Sequence, residues 1–411
     1  MHFHLLSFEG PDAYARAGGL ASRVAGLADQ LAELGFDTDL WFIGDPRLPG
    51  HERRGQLLLH RWGQWISEFH PGGVYDGEEG KRNDYSHSLP PQLFRCIEAD
   101  LRRNLPVTIM AEEWHTVDAV IHLDALLRRH CMRQRVRMLW NANNTFGFDR
   151  IDWAGLRGAA TVTTVSRYMK HTMQRFGVDP VVIPNGLEPD AFAPVERAAI
   201  EAFSAQIARR LVLTKVARFD PDKNWLAAVD IVAELKARGA RPLLIARAGV
   251  EAHGYEVLAH ARARDLRVVE RHARPGVSGL LAALSGLEDA DVVHLTSHLD
   301  AASRRLLFRC ASAVLANSTH EPFGLVGLEA MAAEGIACTG ISGEDYAVPG
   351  HNAIVLQTHH SSEAVARIER LLQRPGEAKA LRRAGLLTAK QYAWDAVIQR
   401  NLIPQIELTA R

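Results

Sequence analysis

The sequence predicts an α/β protein of two doubly wound, parallel-sheet domains. Three observations carry this. Short apolar runs alternate with helical periodicity along the chain, the pattern of parallel strands covered by helices on both faces. The pattern begins afresh after residue 211. Between the two series lies a turn-rich stretch, Pro184-Asn185-Gly186 with Pro189 and Pro194, which reads as an inter-domain linker. A chain of 411 residues is too long for one ordinary core and suits two domains of roughly 150–200 residues.

The elements follow in order. His2–Phe8 reads as a strand. Gly18-Gly19 opens a helix with Leu20, Val24, Leu27, Leu31 and Leu34 on one face, and Gly35 stops it. Strand candidates follow at Asp39–Gly44, Leu57–Trp62, Val107–Ala111, Val136–Trp140, Thr161–Val165 and Val181–Ile183. Between Trp62 and Pro91 the texture is polar, Gly-rich and charged, which predicts a long loop with an insertion from His70 to Asp84. In the second series Leu211–Ala217 is a strand, Arg218–Asn224 a loop and Trp225–Arg238 a helix closed by Gly239. Further strands are expected at Leu243–Ala246, Val268–Glu270, Val292–Leu295, Ala313–Ala316, Ala337–Gly340 and Ala353–Leu356. Helices are expected around Glu363–Leu372, Lys379–Tyr392 and Trp394–Leu408.

Composition narrows the partners. Lys plus Arg and Asp plus Glu number 48 each, so the net charge is zero and a nucleic acid is not the expected partner. The run Arg128–Arg137 holds five arginines. It reads as a solvated helix end and loop, with a patch for a membrane surface or an acidic acceptor as the second reading. No stretch approaches the roughly 20 apolar residues of a membrane span, so membrane contact is at most peripheral. Cys96, Cys131, Cys310 and Cys338 form no CxxC pair and read as reduced thiols of a cytoplasmic protein. The first residues are too short an apolar run for a signal peptide. No metal site is expected: the histidines are scattered, His359-His360 is a surface pair, and Asp289-Ala290-Asp291 leads into a strand as a turn.

The chemistry concentrates in Glu321–Glu329, Glu-Pro-Phe-Gly-Leu-Val-Gly-Leu-Glu. A strand ends at Ala316, a polar loop turns and a helix begins. The backbone N–H groups of Phe323, Gly324 and Leu325 then lie at a helix start, where an anion is favoured. Two carboxylates, Glu321 and Glu329, suit polyhydroxyl recognition, since a carboxylate accepts from vicinal hydroxyls. Upstream, Arg218 ends a strand and Lys223 precedes a helix, two cations able to clamp a diphosphate. Taken alone, they read as surface charges.

The Glu321–Glu329 segment resembles the E-x7-E motif of retaining glycosyltransferases with the GT-B fold, in particular glycosyltransferase family 4. The resemblance implies two Rossmann-like domains facing across a cleft, with a C-terminal helix crossing back to the first. The expected boundaries are 1–190 for the acceptor-side domain, 191–390 for the donor-side domain and 391–411 for that helix. It implies that Glu321 lies by the transferred sugar and Glu329 by the ribose, with Arg218 and Lys223 on the donor pyrophosphate. Ala217 departs from the glycine usual before that arginine. Gly18 and Gly19 resemble the family's N-terminal glycine loop. Ser166, Pro184-Asn185-Gly186, Asn352 and Trp394 match further family positions. Many relatives carry a histidine where Asn143 or Asn144 stands here, and an amide cannot act as an acid or base at neutral pH. His115, in Glu112-Glu113-Trp114-His115, is the expected active-site histidine, and Asn143 the expected sugar contact.

The implied activity is a retaining, metal-independent transfer of a hexosyl group to an unidentified acceptor (a sugar, lipid or small molecule). The donor is a nucleotide-diphosphate sugar, UDP-linked by default. The donor is a co-substrate and no other cofactor is expected. No carboxylate stands out as a covalent nucleophile, which favours front-face displacement assisted by the leaving phosphate. The competing readings are a GT-B phosphorylase or epimerase, and a non-catalytic sugar-nucleotide-binding protein.

Overall fold

The computed structural model describes residues 1–207 and 210–408. The chain divides into two compact units, Met1–Gly186 together with the described residues from Trp394 onward, and Leu187–Ala393. Both are Rossmann-like α/β domains on largely parallel sheets.

The first unit holds eight strands. They are β1 (His2–Leu6), β2 (Asp37–Ile43), β3 (His51–Arg54), β4 (Leu57–Trp62), β5 (Val107–Glu112), β6 (Val136–Ala142), β7 (Thr161–Thr164) and β8 (Val181–Val182). Their order is β3-β4-β2-β1-β5-β6-β7-β8, parallel except where β3 pairs antiparallel with β4. β3 was not expected: His-Glu-Arg-Arg has no apolar run, and as an edge strand it needs none. The second unit holds β9 (Leu211–Val216), β10 (Pro242–Arg247), β11 (Val268–Arg271), β12 (Val292–Leu295), β13 (Ala313–Ala316), β14 (Ala337–Thr339) and β15 (Ile354–Val355). Their order is β11-β12-β10-β9-β13-β14-β15, parallel throughout. Strand order reverses between β1 and β5 in one unit and between β9 and β13 in the other. Among the described residues no helix is long and apolar enough to cross a membrane.

The expected loop from Trp62 to Pro91 is a correction. Glu78–Arg102 is a single 25-residue helix. Gly77, in the left-handed region at φ 68°, precedes it, and Glu78 and Glu79 fill the electropositive first turn. Tyr85, Leu89, Leu93, Ile97 and Leu101 are buried at four-residue spacing. The polar residues between them hid that stripe, and Pro90-Pro91 reads as a break. The helix continues because the carbonyl of Ser86, which Pro90 cannot serve, lies 3.0 Å from Nδ1 of His122. Lys81 is fully buried in this helix. Its ammonium donates to Tyr14 Oη at 2.6 Å and to the carbonyl of Gly73 at 2.9 Å, tying the preceding turn to the core.

The domain boundaries shift by a few residues from the expected 190 and 390. The two crossings are paired: Leu187 N–H donates to Tyr392 O at 2.7 Å, and Leu187 bridges to Ala393. The chain therefore leaves the first unit at Gly186 and rejoins it at Trp394. A Cβ on Gly186 would lie 2.2 Å from the Trp394 ring, so backbone packs directly on the indole. Trp394, Val397, Ile398, Leu402 and Ile406 share one apolar cluster with Phe3, Leu27 and Phe42. Trp394→Ala is expected to destabilise the first unit by about 3–5 kcal/mol, the range for a buried large aromatic. Unchanged denaturant unfolding would show that the C-terminal segment is not part of that core.

Candidate functional site

Ligands of open parallel sheets bind beyond the strands' carboxyl ends where strand order reverses. In the second unit that point lies between β9 and β13, which pair directly. The loops after these two strands emerge side by side and are latched, with Thr319 N–H donating to Asp222 O at 2.9 Å. This adjacency brings Lys223 to Glu321, 98 residues away: Nζ donates to Oε2 at 2.7 Å. Both side chains keep about a fifth of their surface exposed, 22% and 20%, so a ligand can reach the pair. Arg218, at the end of β9, is 69% exposed and only 3.6 Å-paired with Asp220. Its carbonyl accepts the Trp225 indole N–H at 2.7 Å, which holds the turn. Asn224 takes the left-handed conformation at φ 53° and leads into the helix Trp225–Ala237.

Gly324 caps the helix Leu325–Ala332 at φ 84°. A Cβ there would meet Glu344 Cγ at 2.6 Å, so both conformation and space demand glycine. Leu325, Val326 and Gly327 open the helix, and their N–H groups lack intrahelical acceptors. Phe323 is buried against Tyr346 and Tyr392, ring centroids 5.9 and 6.0 Å away, and anchors the turn. The Tyr346 hydroxyl donates to Gly324 O. A Cβ on Gly343 would fall 2.2 Å from the carbonyls of Glu321 and Pro322, so backbone packs on backbone and fixes Glu321 in place. Glu321 N–H donates to Ser342 Oγ at 2.9 Å. Glu329 faces Arg304 at 3.5 Å, and burial holds its carboxyl above the usual range despite that partner.

Two residues of this unit were not singled out from the sequence. Lys215 is buried within β9, donating to Asn317 Oδ1 at 2.7 Å and Leu315 O at 3.1 Å. Burial, with Lys223 nearby, lowers its pKa to about 7. The only hint was one lysine inside an apolar run. Glu344 is 6% exposed, and its Oε1 has no hydrogen-bond partner among the described residues. Burial, and then the charge of Glu321, pushes it up to about 8.

The first unit's reversal point lies between β1 and β5. Here Glu9 is buried and accepts from Ala17, Gly18 and Ala21 N–H at 3.2, 3.0 and 3.1 Å. The helix start at Gly18-Gly19 thus already holds a carboxylate of this chain. Both glycines are exposed, and no atom lies within 4 Å of where their Cβ would be. Tyr75, in the 70–84 segment, donates to Glu9 Oε1 at 2.6 Å. At the end of β5, Glu112 is buried and accepts from Arg23 Nε at 3.0 Å, Asn141 Nδ2 at 2.8 Å and Asn143 Nδ2 at 2.9 Å. Glu113 sits at φ 67°, strained for a residue with a side chain, and accepts from Asn143 N–H at 2.6 Å. Burial raises it to about 8. Asn143 Oδ1 is buried without a partner among the described residues.

His115 lies 3% exposed beneath this edge, stacked on Phe8 at 4.4 Å, with Nε2 2.7 Å from Glu78 Oε1. Burial outweighs Glu78 and lowers its pKa to about 4, so the ring is neutral at pH 7. Among the other sequence features, Asp289 and Asp291 are taken up by Arg267 and Lys236 at 3.0 and 2.7 Å. Ser166 caps the helix Arg167–Gln174 by accepting from Met169 N–H at 3.1 Å. In the arginine run, Arg128 and Arg133 both grip Asp124 at 2.6 Å.

Comparison with known proteins follows the same division. Residues 17–191 match the model described as Glycosyltransferase Family 4, and residues 197–387 match Glycosyl transferases group 1. A D-inositol 3-phosphate glycosyltransferase of Segniliparus rotundus is 29% identical over 233 residues, 55% of this chain and 47% of that protein. The chain spans about half the length of the curated relatives it matches. Among solved structures, sucrose-phosphate synthase from Thermosynechococcus elongatus superposes with a TM-score of 0.68 at 19% identity, covering 100% of both chains. Anabaena HepE in complex with UDP superposes at 0.65 and 14% identity, covering 99% of this chain and 100% of that one. At such identities the likeness is one of fold, GT-B. The two models together span most of the chain, and it belongs to this glycosyltransferase family.

Glu344 offers a test of the site's electrostatics. A carboxyl near 8 in the fold and near 4.5 when unfolded keeps its proton longer in the folded state. Stability is therefore lost as pH rises from about 4.5 to about 8, by at most about 1.4 kcal/mol per pH unit. Glu344→Gln is expected to flatten that decline in pH-dependent denaturation. A decline of the same slope in the variant would place the burden elsewhere.

Proposed function

We propose that this chain is a retaining, metal-independent glycosyltransferase acting on a nucleoside-diphosphate hexose, UDP-linked by default. The observation that carries the reading is the Lys223–Glu321 pair at the second unit's reversal point, with Arg218 exposed on the same loop. A diphosphate offers Lys223 a stronger partner than a single carboxylate, and it gives Arg218 a bidentate one. Its remaining charge falls to the N–H groups that open the helix at Leu325, Val326 and Gly327. Glu321, released from Lys223, accepts from a hydroxyl of the transferred sugar. Glu329 accepts from the ribose hydroxyls, exchanging its 3.5 Å contact with Arg304.

In the reaction the bond from the anomeric carbon to the diphosphate oxygen breaks, and the electron pair leaves with the diphosphate. The acceptor oxygen bonds that carbon from the same face and gives its proton to the departing phosphate. Cations fixed where the leaving group's charge develops serve this step without a metal. The first unit holds the acceptor. Its reversal point carries Glu9, Glu113 and Asn143, a set of acceptors suited to hydroxyls. His115, neutral and enclosed, positions Glu78 there. A UDP donor is supported by the fold's likeness to a structure solved with UDP. A polyhydroxylated acceptor is in keeping with the relative named for D-inositol 3-phosphate. The four cysteines, none in a disulfide, fit a cytoplasmic setting.

Nucleotide release with UDP-, GDP- and ADP-sugars in the presence of a chelator, with the anomer assigned by NMR, tests the reading. Arg218→Ala combined with Lys223→Ala is expected to lower kcat/KM by about 10²–10³-fold, as for lost charge stabilisation elsewhere. Turnover unchanged in that double variant would remove the donor site from this loop. Phosphate-dependent release of a sugar phosphate would identify a phosphorylase instead.

A further inference from the structure

The amino-terminal half of β1 carries a second cluster that the transfer reaction does not use. His2 and His4 alternate onto one face of β1, and His4 lies in register with Asp39 of β2. Asp100, on the last turns of the helix Glu78–Arg102, comes down onto the same face. His4 is 0% exposed, Asp39 7% and Asp100 5%, and each of the two carboxylates needs a compensating charge.

The two imidazoles use their ring nitrogens in the same way. One nitrogen of each faces Asp100: His2 Nδ1 lies 2.7 Å from Oδ2, and His4 Nε2 lies 3.5 Å from the same oxygen. The other nitrogen of each faces Asp39: His2 Nε2 is 3.4 Å from Oδ1, and His4 Nδ1 is 3.5 Å from Oδ2. His60 Nε2 approaches Asp39 Oδ2 at 3.2 Å. His2 Nε2, His4 Nε2 and His60 Nε2 are all buried without a hydrogen-bond partner among the described residues. Ligands about 2.0–2.2 Å from a tetrahedral ion lie about 3.3–3.6 Å from one another. The His4–Asp100 separation already has that value, and the His2–Asp100 contact would open by under an ångström.

We infer that His2, His4 and Asp100 form a structural site for a divalent first-row metal such as zinc, with Asp39 orienting both histidines. One ring nitrogen from each of the two imidazoles and one carboxylate oxygen of Asp100 lie within 4.8 Å of one another. Two nitrogens and one oxygen suit zinc. A carboxylate on the far nitrogen of a ligating histidine is the usual outer support of such sites. The ion's double charge balances the two buried aspartates, of which Asp100 also faces the largely exposed Arg103 at 3.7 Å. The Trp41 indole, 3.3 Å from His4 Nδ1, competes with Asp39 for that nitrogen and gives way to it when Nε2 ligates. The site lies on the opposite half of β1 from the loop bearing Glu9, and it acts on the stability of the fold.

The test uses the untagged full chain, stripped with a chelator and titrated with Zn²⁺ or Co²⁺ alone. Uptake of about one equivalent per chain, a cobalt ligand-field spectrum and a raised Tm are expected. His2→Asn, at the partly exposed edge of the cluster, and Asp100→Asn should abolish uptake. Asp39→Asn should weaken it about 10–100-fold while keeping the ligand set. His359→Gln with His360→Gln, on the surface, should leave it intact. No uptake by the folded wild type, or equal uptake by wild type and His2→Asn, overturns the site. Circular dichroism of His2→Asn separates lost ligation from lost fold.

Discussion

The pairing of β9 with β13 is the constraint on which the candidate donor site depends. Lys223 and Glu321 stand 98 residues apart in the sequence. They meet because two parallel strands, distant in sequence, are neighbours where strand order reverses, and their loops have nowhere else to go. The backbone does the rest of the positioning. Gly324 and Gly343 let one loop lie against another at distances that no side chain would permit. Glu321 is thereby held by its main chain, and its carboxylate is left to choose between Lys223 and a ligand.

The two units solve the same topological problem with opposite chemistry. At the second unit's reversal point cations stand forward, with Arg218 exposed and about a fifth of Lys223 open to solvent. At the first unit's, carboxylates and amides are drawn inward. Arg23 and Glu112 form a buried ion pair whose remaining lone pairs are met by Asn141 and Asn143. Glu9 occupies the helix start that an external anion would otherwise take. Glu113 keeps a strained backbone and a raised pKa together, a combination that persists where the surroundings impose it. On the proposed reading the donor's phosphates go to the second unit's site and a hydroxyl-bearing acceptor to the first unit's.

Much of this was legible in the sequence because parallel strands buried on both faces read as continuous apolar runs. Fourteen expected strands therefore have counterparts, and Glu321–Glu329 sits at a strand-to-helix turn as its pattern implies. What escaped lacked such a signal. β3 is a polar edge strand, and the helix Glu78–Arg102 hides its apolar stripe among charges and two prolines. Lys215, Glu344 and the Glu9 cap matter through tertiary neighbours that no spacing reveals. The histidines likewise looked scattered: only the register of β1 on β2 and the return of the 78–102 helix bring His2, His4, Asp39 and Asp100 together.

Calorimetric titration of UDP into the wild type, Lys223→Met and Glu321→Gln tests the central claim most directly, because the two variants are predicted to move in opposite directions. Removing the cation weakens diphosphate binding. Removing the carboxylate frees Lys223 from its 2.7 Å partner and tightens binding, although Glu321→Gln is expected to lose turnover. Equal UDP affinity in all three proteins would contradict the account, since the pair would then have no part in holding the donor.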